Sequence, residues 1–183
     1  MVSHWRTGSG CCYFDQYAGT LCLLMNIRII AVGKIKEKYL DAAINEYSKR
    51  LSAYCRLEII EVKDEKIPEK ASEAQRLKAL ETEEKRILPH LRDDDILVTL
   101  EIQGKQLDSV TFAKTIEAYG IQGKSQLTFV IGGSIGLSPE ITRRSDWKLS
   151  FSAMTFPHQL FRVLLLEQLY RAFKIIRGET YHK

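Results

Sequence analysis

The sequence of 183 residues is 45% hydrophobic and 27% charged, which is typical of a soluble protein with one globular domain and a sizeable core. No segment approaches the roughly eighteen uninterrupted apolar residues that a membrane-spanning helix requires, so we expect no membrane span. The formal net charge of +4 comes entirely from residues 139–183, a surplus that could attract phosphate groups but is more often a solvated surface.

The first 24 residues differ from everything that follows. They contain three of the four cysteines and show no helix or strand period, whereas Met25 opens a run typical of an α/β domain. We therefore predict that residues 1–24 are an upstream extension outside the fold and that residues 25–183 form one domain. A secretory signal is disfavoured, because Arg6 is the only basic residue there and no long apolar core follows it. Cys55 alone then remains, which argues against disulfides and a cysteine metal site and predicts a reducing, cytoplasmic location.

From Met25 onward, strand and helix patterns alternate. In chain order they predict strand 26–33, a helix with its apolar period from 39 to 51, strand 57–62, helix 72–91, strand 95–100, helix 109–119, strand 127–131, a short helix opening at 138–139, strand 147–151 and a final helix 157–176. This order predicts an α/β protein with a mostly parallel sheet and helices on both of its faces.

The final predicted helix is apolar on nearly every side. Leu164, Leu165 and Leu166 follow one another and so point in three different directions. Because one sheet covers only one face of a helix, we interpret this pattern as a site for a second copy of the chain, that is, a homodimer. Helices of the same chain are the alternative cover.

The stretch LTFVIGGSIGLSPE, residues 127–140, places three glycines after a buried strand. Gly132, Gly133 and Gly136 would lie at the carboxyl end of that strand, where parallel sheets bind ligands. They are not a dinucleotide fingerprint, which would follow the first strand, where only Gly33 stands. They also lack the lysine and serine or threonine that end a phosphate-binding loop. Without further residues, such a turn is most often only a turn.

The further residues come from the end of the chain. The run SFSAMTFPHQLFRVLLLEQLYRAFKIIRGETYHK, with FVIGGSIGLSP and IRIIAVGKIK, resembles the ribosomal large-subunit pseudouridine methyltransferase family of the SPOUT superfamily, over Met25 to Lys183. The resemblance implies a C-terminal trefoil knot, a homodimer and S-adenosylmethionine held in the knot. It also implies methylation of ring nitrogen 3 of a pseudouridine in 23S ribosomal RNA, with the assembled ribosome as the substrate and with neither membrane nor DNA as partner.

Two sets of site residues follow from this resemblance. The cofactor would be bound by Leu100, Gly132, Phe151, Ser152, Ala153, Met154, Thr155 and Phe156, with Gly132 letting the backbone approach the ligand. A base would help the imide nitrogen lose its proton, and the candidate catalytic residues are His158, Arg162, Tyr181 and His182. Arg171, Arg177, His182 and Lys183 would approach the RNA. No metal is expected.

Two other functional classes are open to the sequence. An RNA-binding or assembly protein without catalysis could use the basic C-terminal region alone, but it would need no glycine-walled pocket. A nucleotide hydrolase is disfavoured, because no phosphate loop or carboxylate cluster stands at a strand end. The acidic run RDDD, residues 92–95, precedes its strand and is interpreted as a solvated turn at the wrong edge of the sheet.

Overall fold

A computed structural model describes residues 25–181 of the chain. The predictions for residues 1–24, His182 and Lys183 lie outside the described residues. The strands are β1 Met25–Val32, β2 Cys55–Val62, β3 Ile96–Gln106, β4 Gln126–Ile131 and β5 Trp147–Ser150. The helices are α1 Lys38–Leu51, α2 Glu73–Ile87, α3 Ser109–Ile121, α4 Pro139–Arg144 and α5 His158–Ile176.

The five strands form one sheet in the order β2-β1-β4-β3-β5, and every pairing is parallel. The inner strands β1 and β4 are buried along nearly their whole length, as expected of strands covered on both faces. The predicted α/β class and parallel sheet are therefore confirmed. All the carboxyl ends of the strands lie at one edge of the sheet, which is where a ligand site is expected.

Helices cover both faces of the sheet, as predicted. Helices α1, α3 and α5 share one hydrophobic cluster, to which they contribute Ile44, Phe112 and Leu169, among others. Helices α2 and α4 cover the opposite face through Ile87 and Ile141. Among residues 25–181, none of these helices has the length and apolar character needed to cross a membrane.

Strand β3 extends six residues beyond its predicted end at Leu100. Leu149 of β5 lies opposite both Leu100 and Lys105, so residues 101–104 leave the regular ladder and then rejoin it. Such irregularities often re-aim side chains beside functional sites. Gly104 permits the return, because a Cβ there would lie 2.7 Å from the backbone carbon of Leu149. The strand period missed this segment because Ile102 and its neighbours are largely exposed.

The acidic run before β3 is not simply a solvated turn, and that interpretation was wrong for its last residue. Asp95 is buried, and its Oδ2 accepts hydrogen bonds from Arg28 at 3.1 Å and from the hydroxyl of Thr128 at 2.7 Å. Arg28, itself buried within β1, also donates to Glu58 at 2.7 Å. The sheet's amino-terminal edge is thus held together by a buried ion pair, far from the carboxyl ends of the strands.

Helix α5 is covered partly by its own chain. Leu165 and Leu166 are fully buried in the core, whereas Leu164 is only partly buried. The alternative that other helices cover α5 therefore holds for two of the three leucines, and the homodimer stays a prediction. The trefoil knot also stays a prediction, since strand order and register do not determine how a chain is threaded.

Candidate functional site

A cavity of about 660 Å³ lies beside the middle of β3 and the carboxyl ends of β4 and β5. This volume is within the range of small-molecule sites. Three segments form most of its wall, namely residues 100–103, 131–137 and 150–156. Seven of the eight residues predicted to bind a cofactor line it: Leu100, Gly132, Phe151, Ser152, Met154, Thr155 and Phe156. Ala153 is exposed and is not part of the lining.

The glycine turn between β4 and α4 forms one wall of the cavity. A Cβ at Gly132 would lie 2.5 Å from the carbonyl oxygen of Gly136, so the turn's own backbone excludes a side chain there. Gly136 has a φ of +86°, which L side chains rarely adopt. Ser138 ends the turn by capping α4, since its hydroxyl accepts from the backbone N–H of Ile141 at 3.2 Å. Gly132 is thus required by the turn itself, and the ligand need not be the reason for it.

The loop from Phe151 to Phe156 forms the facing wall. Its two aromatic ends pack on Phe161 of α5, with ring centroids 4.9 Å and 6.0 Å away. Within the loop, the hydroxyl of Ser152 accepts a hydrogen bond from the backbone N–H of Met154 at 3.0 Å. Small residues and main-chain groups between two aromatic anchors give a wall without an ionisable side chain, as the sequence predicts.

Glu101 was missed by the sequence analysis. It is the one carboxylate in the described lining of the cavity, and its Oε1 accepts a hydrogen bond from the hydroxyl of Thr99 at 2.6 Å. It directly follows Leu100, where the sequence predicts the end of the strand, and that position was the available signal. A carboxylate here gives the cavity a negative group that suits a ligand with positive charge.

His158 lies at the first turn of α5 and lines the cavity. Burial lowers its pKa below the ordinary histidine value, and the positive charge of Arg162 lowers it further. The neutral imidazole is therefore favoured at neutral pH and can accept a proton. The loop after β1 is fastened beside it, because the backbone N–H of Lys36 donates to Gln159 at 3.0 Å.

Arg162, the second predicted catalytic residue, is buried and bonded to other parts of the chain. Its side chain is 2% exposed and does not line the cavity. Its guanidinium donates to Glu61 at 2.5 Å, to the carbonyl oxygen of Gly33 at 2.6 Å and to that of Val32 at 3.1 Å. These contacts fasten α5 to the ends of β1 and β2.

Tyr181 is not brought together with His158. Its hydroxyl is 3.4 Å from Glu167, and its ring packs edge-on against Tyr170 at 5.0 Å. Glu167 follows His158 on α5 by about 13 Å along the helix axis. The guanidinium of Arg171 lies 4.8 Å above the Tyr181 ring, so this predicted RNA-binding arginine also holds the tail.

No group of three or more histidine, cysteine, aspartate or glutamate side chains within residues 25–181 is arranged to hold a metal ion. The site therefore consists of a cavity with apolar and main-chain walls, one carboxylate and one partly buried histidine.

Comparisons with known proteins point to one family. The family model described as "Predicted SPOUT methyltransferase" matches residues 25–182. The chain is 62% identical over 159 residues to a putative ribosomal RNA large subunit methyltransferase H of Methanococcus maripaludis, which covers 87% of this chain and 100% of the relative. It is 57% identical, with the same coverage, to ribosomal RNA large subunit methyltransferase H 1 of Clostridium perfringens.

Among solved structures, the chain is similar to a probable methyltransferase from Bordetella pertussis Tohama I. The TM-score is 0.53 at 13% sequence identity, and the match covers 83% of this chain and 96% of that one. At this identity the likeness concerns the fold alone.

Proposed function

The chain belongs to the SPOUT methyltransferase family, and we propose that it transfers a methyl group from S-adenosylmethionine to ribosomal RNA of the large subunit. The names of the two relatives support the substrate class. The observation that carries the proposal is the cavity at this edge of the sheet, because seven of the eight residues that the resemblance assigns to the cofactor line it.

The lining suits S-adenosylmethionine, which supplies an activated methyl group on a positively charged sulfur. Leu100, Phe151 and Phe156 offer apolar walls for an adenine ring, and the glycine turn exposes main-chain groups. Glu101 would face a cationic ligand with its carboxylate. Methyl transfer then requires mainly that the protein align donor and acceptor and exclude water.

The acceptor we propose is ring nitrogen 3 of a pseudouridine. This imide nitrogen must lose a proton, and His158 is the described lining residue whose neutral form can accept one. Arg162 would be a positioning residue, which holds the start of α5 against the ends of β1 and β2. Tyr181 would anchor the tail on α5.

The basic residues considered for RNA binding differ in whether they have partners within the chain. Arg171 pairs with Glu167, and Arg177 donates to the carbonyl oxygen of Ala53 at 3.2 Å, so both have partners in the chain. Lys34 and Lys36, on the loop fastened beside His158, are exposed and form no ion pair within residues 25–181. We infer that these lysines meet RNA phosphates.

The homodimer is part of the proposal. Exposed apolar side chains surround the cavity, with Ile102 53% exposed and Met154 74% exposed. A second cavity of about 500 Å³ adjoins it, shares Phe151 and Phe156 with it, and includes the partly buried Leu164. A second copy of the chain that packs here would cover these groups.

Leu164→Glu is expected to convert the dimer to a monomer that stays folded, because the new charge would lie in the interface but outside the protomer core. Sedimentation velocity and circular dichroism measure the two effects. The control is Leu77→Glu on α2, a leucine already 46% exposed on the other face of the sheet, which should leave the dimer intact. A wild-type protein that sediments as a monomer at high concentration would remove the dimer from the proposal.

The methyltransferase activity is tested with labelled S-adenosylmethionine and three substrates: free ribosomal RNA, isolated large subunits and assembled ribosomes. We expect transfer to assembled ribosomes, at a pseudouridine located by mass spectrometry, and weaker ribosome binding as salt rises. RNA binding without cofactor binding or methyl transfer would favour the non-enzymatic alternative. Transfer to a different base would retain the enzyme and reject the acceptor.

A further inference from the structure

Glu83 is a buried acid that the proposed reaction does not use. It lies on the inner face of α2 and is 4% exposed. Its Oε1 accepts a hydrogen bond from the backbone N–H of Glu65 at 2.9 Å, whereas its Oε2 is buried and has no hydrogen-bond partner within the described residues. Carboxylates are rarely buried in this way, because an unpaired buried oxygen costs free energy.

The Glu83 carboxyl group lies directly behind the glycine turn. A Cβ at Gly133 would be 3.4 Å and 3.5 Å from its two oxygens and 3.1 Å from Cγ1 of Val32. Gly132, Gly133 and Gly136 of the same turn line the cavity proposed to bind the cofactor. The carboxyl group therefore fills the space between α2, the end of β1 and the turn.

The same carboxyl group also holds the segment after β2. Its hydrogen bond to Glu65 holds the backbone next to Asp64. The Cβ of Asp64 lies 3.9 Å from the point where a side chain at Gly33 would begin. His158 approaches the same position more closely, with its Nε2 3.6 Å away. One buried group thus contacts the supports of two parts of the site, the glycine turn and the surroundings of His158.

We propose that Glu83 is a positioning residue for the methyl-transfer site, which holds the glycine turn against the end of β1 and so sets the shape of the cofactor cavity. Only one consequence of this role, the effect on cofactor affinity, rests on the proposed function. Its direct effect, the order of the turn, belongs to the protein without ligand.

The protonation state of Glu83 gives the proposal a pH signature. Burial raises its pKa, and the negative charges of Asp64 and Glu65 raise it further, whereas the Glu65 hydrogen bond and the charge of Arg86 act in the opposite direction. Because the folded state favours the neutral acid, the stability that it contributes is present at low pH and is lost as pH rises through the folded pKa. Above that pKa a buried, half-satisfied charge lies against Gly133, and we expect the turn to loosen.

The test compares Glu83→Gln, which keeps the shape and the bond to Glu65, with Glu83→Ala, which empties the space. Glu81→Gln and Glu81→Ala, at an exposed acid on the same helix, are the matched controls. Calorimetry gives the dissociation constant for S-adenosylmethionine, and hydrogen exchange gives the protection of the Gly136 amide, which donates to Gly133 at 3.2 Å. Urea denaturation shows whether each variant is folded.

We expect Glu83→Ala to weaken cofactor binding about tenfold or more, equivalent to about 1.4 kcal/mol, and to speed exchange at Gly136 while amides of β4 stay protected. Glu83→Gln should bind within about threefold of wild type, and its affinity should lack the decline with rising pH that we expect for wild type. The Glu81 variants should match wild type in every measurement.

Unchanged affinity and unchanged exchange in folded Glu83→Ala would overturn the proposal. If that variant does not fold, Glu83→Gln decides, since a pH profile identical to wild type would also overturn it. A wild-type protein that binds no S-adenosylmethionine would reject the proposed function instead, and the exchange at Gly136 would still test the role of Glu83 in the turn.

Discussion

Gly132→Val is expected to weaken S-adenosylmethionine binding about a hundredfold or more, which corresponds to about 2.7 kcal/mol. The first atom of any side chain at Gly132 would lie 2.5 Å from the carbonyl oxygen of Gly136 and 3.1 Å from Cγ of Leu137. The turn must therefore open, and the cavity wall must move with it. Calorimetry measures the affinity, and urea denaturation measures the accompanying loss of stability, which we expect because the collision is with backbone.

Variants of two other glycines distinguish the effect of a steric collision from the effect of backbone strain. Gly136→Ala and Gly123→Ala both place a side chain at positive φ, +86° and +78°, and neither Cβ would meet an atom within 4 Å. Both should lower stability by about 1 kcal/mol, but only Gly136→Ala should also affect the cofactor, since Gly123 follows α3 away from the cavity. Equal cofactor affinity in Gly132→Val and wild type would show that the turn is not part of the site.

Arg162→Met is expected to destabilise the protein by about 3 kcal/mol, because it leaves two backbone carbonyl oxygens and part of Glu61 without their partner. Arg162→Lys should recover only part of this loss, since one ammonium group cannot reproduce the planar fork that reaches three acceptors. Urea denaturation of both variants measures the difference in unfolding free energy.

The control is Arg143→Met, which breaks an exposed pair with Glu140 on α4 and should not change stability measurably. The catalytic assignment of Arg162 makes the opposite prediction for the folded Lys variant: full stability and a large loss of kcat. That result would show that Arg162 contacts the reacting groups and would contradict the positioning role.

The sequence by itself determined the order of the elements and indicated where the candidate site lies. The spacing of apolar residues predicted the strands and helices of a parallel sheet, because this spacing depends on the local geometry of each element and on which of its faces is buried. The glycine turn after β4 was recognised in the same way, as local backbone chemistry at a strand end. The individual residues predicted to bind the cofactor came from the family resemblance, and all but Ala153 line the cavity.

The end of one predicted helix shows that local sequence patterns do not define helix boundaries accurately. The predicted helix 72–91 ends as an α-helix at Ile87 and continues as a 3₁₀ turn over Leu88–His90. Pro89 lacks the backbone N–H that a regular helix would use there. The residue type was visible in the sequence, but the apolar period continued past it.

Only the tertiary structure decided the roles of the buried charged residues. Arg162 and Glu61 are 101 positions apart in the chain, and Arg28 and Asp95 are 67 apart, so no local period connects them. Glu83 belongs to a helix of mostly exposed charges and becomes exceptional only where α2 meets the glycine turn. From sequence alone, a charged residue is interpreted as part of the solvated surface. Whether it is buried depends on tertiary contacts, which the local sequence pattern does not contain.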